Sequence, residues 1–419
     1  MRSSAVKQLG LVLLAALLLR LGAGWWLDHR WEGRFAFGDS DGYWVLARAI
    51  AHGAPYQYGS EDARIFRAPG YPLLLAPVFV LAGDAPSTMW GRALSALFGT
   101  LAVLGVWWLG RRLFGDRAGL VAATIAACYP GAVALSAVVL SEAPFCPLML
   151  AHLGLWTAAW TAPSTKVAGL LSLAAGLAAG AAALVRPSWL LFTPLALLVG
   201  LSFGPRRARH LAIGLVMCLG LSAAMAPWWI RNARVTGHFV ATTLQVGASL
   251  YDGLNPAARG ASDMHFVKQF TDAARQRFDA REDSPETFEY YLDQQFRAAA
   301  GAWARSDPGR VAQLAGIKLL RTWNVWPNEP TFSSWPVRLV VLVTYVPVLV
   351  LGLIGAAKTI HGGWPYVLCW LPAVYFTLLH VVFVSSIRYR EPAMLGLIVL
   401  AGGIVASGRM QKSECRMQK

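Results

Sequence analysis

The sequence predicts an all-α membrane protein that crosses the bilayer about ten times. Of its 419 residues, 56% are hydrophobic and only 14% are charged, and the mean hydropathy is +0.47. This composition is wrong for a soluble domain and typical of a chain that lies in lipid. A spanning helix needs roughly 20 apolar residues. Ten stretches approach that length: 8–27, 90–112, 117–135, 142–160, 166–185, 188–203, 209–230, 337–357, 364–385 and 388–408.

The first of these stretches has the pattern of a signal sequence, because Arg2 and Lys7 precede its apolar run. Arg20 interrupts that run and is expected to snorkel or to pair with a buried acid. Trp25 and Trp26 near its far end suit a membrane interface better than a peptidase site. We therefore expect the segment to be retained as the first transmembrane helix.

The formal net charge of +15 is explained by topology. With the N-terminus inside, the predicted cytoplasmic loops and termini carry 14 Lys and Arg residues and only two acids. An excess of cations on the cytoplasmic side is the usual signature of membrane orientation. We therefore infer no nucleic-acid partner from the basic balance.

This topology divides the chain into three parts. Residues 1–230 form a membrane domain whose first extracytoplasmic loop, 28–89, is predicted to carry the active site. Residues 231–336 form a second extracytoplasmic loop with 12 basic and 11 acidic residues and helical periodicity. Residues 337–419 supply the last transmembrane helices and a cytoplasmic tail.

The first loop contains two short segments that are predicted to be interfacial helices. The segment from Tyr43 to Ala51 is amphipathic, and the segment from Tyr71 to Leu81 is apolar but only about half the length of a span. Both predictions place helices at the membrane surface beside the polar residues described next.

Two carboxylates, Asp39 and Asp41, stand at the start of the first of these segments. Aspartate at such a position often does no more than cap the helix. The functional alternative is that one carboxylate takes a proton from an acceptor hydroxyl, while the other orients that hydroxyl or helps to bind a cation. An acidic pair with this spacing is a weak signal when it stands alone.

Further polar residues are predicted to gather on the same side of the membrane. Arg67 follows in the first loop, and Glu142 lies at the next outward turn. Arg186, Arg388 and Arg390 fall at the outer ends of later helices. A guanidinium binds phosphate oxygens in a bidentate manner and stays charged, which suits a lipid-phosphate leaving group. The alternative is that these arginines merely reach the lipid headgroups.

In this order the motifs resemble the GT-C glycosyltransferases, specifically the family 39-like branch that contains the protein O-mannosyltransferases and the lipid A aminoarabinose transferase. The acidic pair with Tyr43 resembles the first motif of that branch, and the stretch from Arg67 to Leu73 resembles its Arg-Pro-Pro-Gly-Tyr-Pro-Leu element. This chain departs from the pattern at Ala68, which replaces a proline, and at Ser40, where many relatives carry Glu.

The resemblance implies an inverting transfer of one sugar from a polyprenyl-phosphate donor to a hydroxyl of a lipid, a glycan or a protein. It matches Asp39 to the catalytic carboxylate of the family. The residues expected to contact donor or acceptor are Asp41, Tyr43, Arg67, Tyr71 and Glu142. The residues expected to bind phosphate are Arg186, Arg388 and Arg390.

Several alternatives stay open at this stage. Magnesium or manganese could bind at Asp39, Asp41 and Glu142, which offer hard oxygen ligands. A transporter or flippase of lipid-linked sugars would also need many helices, and a non-catalytic subunit of an envelope-glycan assembly would use the large loop to bind a partner. We expect an enzyme of the bacterial inner membrane whose active site faces the extracytoplasmic side.

Overall fold

A computed structural model of the chain describes residues 2–281, 286–326 and 334–417, except the side chains of 2–4, 361 and 408–417. These residues form α-helices and no strand, as the sequence predicts. The helices are α1 Arg2–Arg30, α2 Gly38–Ala51, α3 Gly70–Ala82, α4 Thr88–Phe114, α5 Asp116–Cys128, α6 Pro130–Ala137, α7 Glu142–Trp160, α8 Thr165–Val185, α9 Phe192–Phe203, α10 Arg207–Thr236, α11 Val246–Gly253, α12 Phe266–Asp279, α13 Phe288–Ser306, α14 Pro308–Thr322, α15 Trp335–Thr359, α16 Val367–Val382 and α17 Ile387–Met417.

All ten predicted stretches are helical over most of their length, but fewer of them qualify as complete spans. Among the described residues, α1, α4, α8, α10, α15 and α17 are long and apolar enough to cross a membrane. Helices α5 and α6 meet at a bend of 57° and would together make a seventh span. The predicted count of ten is therefore not confirmed, since α9 and α16 are short apolar helices and α7 is not among the candidate spans.

Helix α17 forms the centre of the bundle, because 83% of its spanning window is buried against 22% for α1 and α15. Elsewhere in the bundle, small residues allow the helices to approach closely. Where α8 crosses α10, a Cβ added to Gly176 would lie 2.0 Å from the carbonyl oxygen of Met217, so only glycine fits. Close crossings at small residues are typical of packing between membrane helices.

Arg20 of α1 neither snorkels nor pairs with an acid, contrary to the sequence-based expectation. It is fully buried and donates hydrogen bonds to the carbonyl oxygens of Ala126 and Ala127, at 3.1 and 3.0 Å, and to Ser136 Oγ at 3.3 Å. Because the helix breaks between α5 and α6, those carbonyl oxygens lack the N–H groups that would bind them in a continuous helix. Because unsatisfied backbone groups are costly in the membrane interior, the arginine stabilises the bend.

The two long loops lie at the same end of the bundle, which we call the loop end. The first loop contains α2 and α3, and the second contains α11 to α14, in agreement with the predicted helical loops. The loops contact each other directly. The backbone N–H of Leu244 donates to the carbonyl of Ile65 at 3.1 Å, and Arg275 pairs with Asp62.

Candidate active site

Five charged side chains meet at the loop end and form what we call the ionic cluster. They come from the first turns of α2, α7 and α17, from the residue after α8 and from the segment before α3. Cations and anions alternate along the cluster, so that each carboxylate lies between two arginines. In order of contact, the members are Arg67, Asp39, Arg388, Glu142 and Arg186.

Asp39 lies in the first turn of α2, where the positive end of the helix dipole favours an acid. Its Oδ1 accepts a hydrogen bond from Arg67 at 2.8 Å, and its Oδ2 accepts one from Arg388 at 3.1 Å. Burial alone would raise the pKa of Asp39, but the charges of Arg67 and Arg388 outweigh burial and lower it to about 2. Asp39 is therefore ionised at neutral pH, and an arginine occupies each of its oxygens.

Aromatic rings surround the guanidinium of Arg67. Its central carbon lies 5.2, 5.4 and 5.7 Å from the ring centres of Tyr43, Tyr58 and Phe66. Burial alone would lower the pKa of Arg67, but the neighbouring Tyr43 and the ion pair with Asp39 raise it. Cation–π contacts and the ion pair together fix the side chain in one orientation.

The Pro-Gly step of the first-loop motif has a packing role. A Cβ added to Gly70 would lie 2.6 Å from the backbone carbon of Leu184, so α3 begins directly against the end of α8. Tyr71 follows and is fully buried, with its hydroxyl 3.2 Å from Ser95 Oγ and its ring 5.0 Å from that of Tyr43. The close approach of Gly70 to Leu184 brings the segment that carries Arg67 next to Arg186, which follows α8.

Glu142 joins the other two arginines of the cluster. Its side chain is fully buried at the start of α7, and its Oε1 lies 2.6 Å from Arg388 Nε and 2.9 Å from Arg186 Nη1. Arg186 also donates to Ser141 Oγ at 3.2 Å and lies over the ring of Tyr389. A buried carboxylate needs such partners, because an unpaired charge in the interior is expensive. Glu142 thus holds Arg186 and Arg388 side by side.

Two residues singled out from the sequence lie apart from the ionic cluster. Asp41 is exposed on α2, and burial of part of its surface raises the pKa of its carboxyl, because no arginine opposes the rise. Arg390 is fully buried, donates to the carbonyl oxygens of Thr322 and Asn324, and lies 3.7 Å from the ring centre of Tyr345. Arg390 also lies 3.5 Å from Glu391 Oε1 and lines the cavity described below, so its contacts are with backbone carbonyls, a ring and a carboxylate outside the ionic cluster.

The sequence interpretation missed several side chains that shape the cluster. Tyr58, Phe66 and Ser95 carry no motif, and they reach Arg67 and Tyr71 only through the fold. Tyr389 stood inside the late arginine motif, but nothing in the sequence indicated that it stacks on Arg186.

A cavity of about 460 Å³ opens beside the ionic cluster. Apolar side chains of α6 and α15 form much of its wall, while the first turn of α17 supplies its polar end. Arg388 lines that end and so faces both the cavity and Asp39. Representative lining residues are Leu135, Val138, Val341, Tyr345 and Arg388. The cavity is large enough for part of an extended apolar chain.

The three candidate metal ligands do not converge. Asp39 and Glu142 face arginines, and Asp41 is exposed. Within residues 2–281, 286–326 and 334–417, no three His, Cys, Asp or Glu side chains gather as a metal-binding group. The residues present therefore do not fit a metal in this arrangement, and arginines supply the positive charge around both carboxylates.

Comparison with known proteins identifies the fold. The family model described as "Dolichyl-phosphate-mannose-protein mannosyltransferase" matches residues 67–230, a region that includes Arg67, Glu142 and Arg186 of the ionic cluster. No curated protein matches the chain in sequence.

Solved structures resemble the chain over nearly all its length. The archaeal oligosaccharyltransferase AglB from Archaeoglobus fulgidus, in complex with an inhibitory peptide and a dolichol-phosphate, has a TM-score of 0.61 at 13% identity, over 100% of this chain and 52% of that one. Its apo form has a TM-score of 0.59 at 14% identity, over 95% and 50% of the two chains. ArnT from Cupriavidus metallidurans, bound to undecaprenyl phosphate, has a TM-score of 0.45 at 18% identity, over 95% and 77%.

These findings confirm the resemblance to the GT-C glycosyltransferases that the motifs indicated. The chain is an integral membrane protein with the GT-C fold. It spans about half the length of the archaeal oligosaccharyltransferase structures that it resembles.

Proposed function

We propose that the protein transfers a single sugar from a polyprenyl-phosphate donor to a hydroxyl of a lipid, a glycan or a protein, with inversion at the sugar carbon. One observation supports this proposal most strongly: Arg388 faces both the catalytic candidate Asp39 and an apolar cavity of about 460 Å³. The reaction needs a base, a group that binds phosphate and a space for the lipid tail. In our proposal Asp39, Arg388 and the cavity supply these in turn.

We infer the class of donor from the lining of the cavity. Its apolar wall and its basic end match the two parts of a lipid phosphate. The apolar wall suits an isoprenoid chain, whereas the phosphate has to stay where arginines can neutralise it. Arg388 and Arg186 lie side by side on Glu142 and are the groups in our proposal that bind it. The matching family carries dolichyl-phosphate-mannose in its description, and AglB was solved with a dolichol-phosphate, which supports this class of donor.

The ion pairs of Asp39 determine how it becomes a base. With a pKa of about 2 it is too weakly basic to take a proton efficiently, because general bases work best near the operating pH. In our proposal the donor phosphate takes Arg388 away from Asp39 Oδ2. The freed oxygen then faces the acceptor hydroxyl with a higher basicity, since one of the two cations that lowered its pKa has been withdrawn.

The transfer is a single displacement. As the acceptor oxygen bonds to the anomeric carbon, the bond from that carbon to the phosphate oxygen breaks, and the hydroxyl proton moves to Asp39. The electron pair leaves with the polyprenyl phosphate, and Arg388 and Arg186 stabilise its negative charge. Arg67 keeps its bond to Asp39 Oδ1 and holds the carboxylate in place. Tyr43, Tyr71 and Asp41 are proposed to border the space for donor and acceptor.

We place this reaction on the extracytoplasmic face of a bacterial inner membrane. The excess of basic residues in the predicted cytoplasmic loops favours that orientation. Both long loops share the loop end with the ionic cluster, so all of the proposed machinery lies on one side.

The test is transfer of labelled sugars from a panel of polyprenyl-phosphate donors by purified full-length protein, with lipid, glycan and protein acceptors. Asp39→Asn is the paired control. Transfer by the wild type, reduced about 10²- to 10⁴-fold in the variant, is the expected result. No transfer from any donor by the wild type would overturn the proposal and favour a flippase or a non-catalytic assembly subunit.

A further inference from the structure

A carboxylate of the large loop binds the backbone of the first loop close to Arg67. Glu289, in the first turn of α13, accepts hydrogen bonds from the N–H of Arg64 at 2.8 Å and from the N–H of Ile65 at 3.0 Å. We propose that Glu289 is a positioning residue that holds Arg67, and through it Asp39, in the geometry for sugar transfer. This inference rests on the proposed function.

The contact belongs to a larger set of bonds that fix the segment 64–67 in place. The carbonyl of Ile65 accepts from the N–H of Leu244 at 3.1 Å, and the carbonyl of Arg64 accepts from the side chain of Arg231 at 3.1 Å. The Tyr56 hydroxyl donates to the carbonyl of Arg67 at 3.1 Å. Groups from α10, from the residues after it and from the first loop itself thus hold the segment, and Glu289 binds its two N–H groups.

A rigid backbone at residues 64 and 65 matters because the side chain of Arg67 begins two residues farther on. Arg67 must reach Asp39 Oδ1 while it lies between the rings of Tyr43 and Tyr58. Side chains that act in catalysis need supporting contacts, since displacements of about 1 Å reduce rates strongly. Glu289 touches no member of the ionic cluster in its own bonds, so any effect on transfer passes through Arg67.

Only a carboxylate suits this position. Its two oxygens accept from two N–H groups and carry no hydrogen of their own, whereas a glutamine would direct its own N–H₂ group toward one of them. Bonds from N–H groups to an ionised oxygen are also stronger than bonds to a neutral one. Replacing Glu289 by Gln therefore weakens the contact with little change in size.

The same contact titrates near neutrality. Burial raises the pKa of Glu289 to about 7, although the two backbone bonds and the charge of Arg231 oppose the rise and Asp293 adds to it. The charged and titratable groups on the elements packed around Glu289 are Arg64 from the first loop, Arg231 from α10, His238 beyond α10, Arg275 from α12 and Asp293 from α13.

The direction of this pKa shift determines how the contact responds to a change in pH. Above about pH 7 the carboxylate is ionised and both bonds have an ionised acceptor. Because this pKa is raised above its value in water, the closed contact binds the proton more tightly than an opened, hydrated Glu289 would. As the pH falls through about 7, protonation therefore removes the cost of the buried charge and makes opening of the segment 64–67 rarer. Protection of this segment is thus sensitive to pH through a group outside the ionic cluster.

The experiment compares the wild type with Glu289→Gln and with Glu286→Gln, all as purified full-length protein. Glu286→Gln is the matched control, because Glu286 pairs with the exposed Arg281 at 2.9 Å and, among the residues that the structure describes, makes no bond to the segment 64–67. Two readouts are taken from about pH 5.5 to about pH 8.5, a range that brackets the titration. One is hydrogen exchange of the peptide covering residues 58–67, corrected for intrinsic exchange, and the other is kcat and KM for sugar transfer.

We expect Glu289→Gln to speed exchange of that peptide and to lower kcat by about tenfold, with a smaller change in the donor KM. In the wild type, corrected exchange should slow as the pH drops through about 7, and the variant should lose this dependence. The control variant should behave like the wild type in both readouts.

Equal exchange and equal kcat profiles in the wild type and Glu289→Gln would overturn the inference. Should the variant fold poorly, the exchange profile of the wild type still decides, because flat protection of residues 58–67 across the pH range excludes a titrating contact. A wild type that transfers no sugar would count against the proposed function, whereas its exchange profile would still test the contact separately.

Discussion

The first turns of α2 and α17 each carry two like charges two residues apart, and in each turn only one of the two joins the ionic cluster. On α2, Asp39 binds two arginines while Asp41 is exposed. On α17, Arg388 binds both carboxylates while Arg390 binds backbone carbonyls on another side. Residues two apart on a helix point about 200° away from each other, so one face receives one member of each pair.

Asp41 and Arg390, the two charged residues that stay outside the cluster, have different surroundings, and the sequence does not reveal this difference. Asp41 faces solvent, whereas Arg390 is fully buried and connects α17 to the end of α14 and the residues that follow it. An arginine at a helix end can therefore serve chemistry or architecture, and its partners decide which. The predictions below use the matched pairs to separate the two roles.

The largest expected effect is a difference in kcat between variants of the two carboxylates on α2, Asp39 and Asp41. Asp39→Asn should reduce kcat by about 10²- to 10⁴-fold, because it removes the general base. Asp41→Asn should change kcat by less than about tenfold, since Asp41 contacts no arginine of the cluster and acts at most on binding. Steady-state transfer by both variants measures the contrast. Equal losses would show that the two carboxylates share the role and that the cluster does not single out Asp39.

The next effect is on the arginine pair, where only Arg388 should act on the transfer step. Arg388→Gln should lower kcat/KM by about 10- to 100-fold, from the loss of a charged hydrogen bond to phosphate, and should also lower thermal stability, because Glu142 and Asp39 each lose a cation. Arg390→Gln should lower the free energy of unfolding by about 1–3 kcal/mol, because it breaks buried bonds to carbonyl oxygens.

Transfer assays and thermal unfolding in detergent measure both quantities for each variant. A large loss of kcat/KM in a stably folded Arg390→Gln protein would assign the phosphate contact to Arg390 instead.

The smallest effect concerns metal. Exhaustive chelation should change the rate of transfer by less than about twofold, because arginines already neutralise Asp39 and Glu142. Abolition of transfer by chelators, with recovery on addition of magnesium or manganese, would contradict this expectation and place a cation between carboxylates that now face arginines.

Some of this arrangement could be predicted from the sequence. Hydropathy predicted an all-helical membrane protein, and the motifs pointed to Asp39, Arg67, Glu142, Arg186 and Arg388, which the structure brings together. The span count was less predictable, because α9 and α16 are apolar but short and the stretch 117–135 bends between α5 and α6.

Other features depend on contacts between residues that lie far apart in the chain. Glu289 binds N–H groups more than 200 residues away, and nothing in its local sequence distinguishes it from its acidic neighbours. In the sequence, Arg20 is a charge in an apolar run with no evident partner. In the structure, it binds carbonyl oxygens at the bend after α5. Local pattern predicts helices and motif positions, whereas partners of buried polar groups follow from the fold.

The most direct test of the central claim is the binding of a polyprenyl phosphate to the wild type and to Asp39→Asn. If the phosphate must take Arg388 from Asp39 before transfer, removal of that negative charge should tighten binding by about tenfold, or about 1.4 kcal/mol, while transfer is lost. Binding that weakens in proportion to the lost transfer would contradict the account, and would mean that Asp39 only holds the arginines in place.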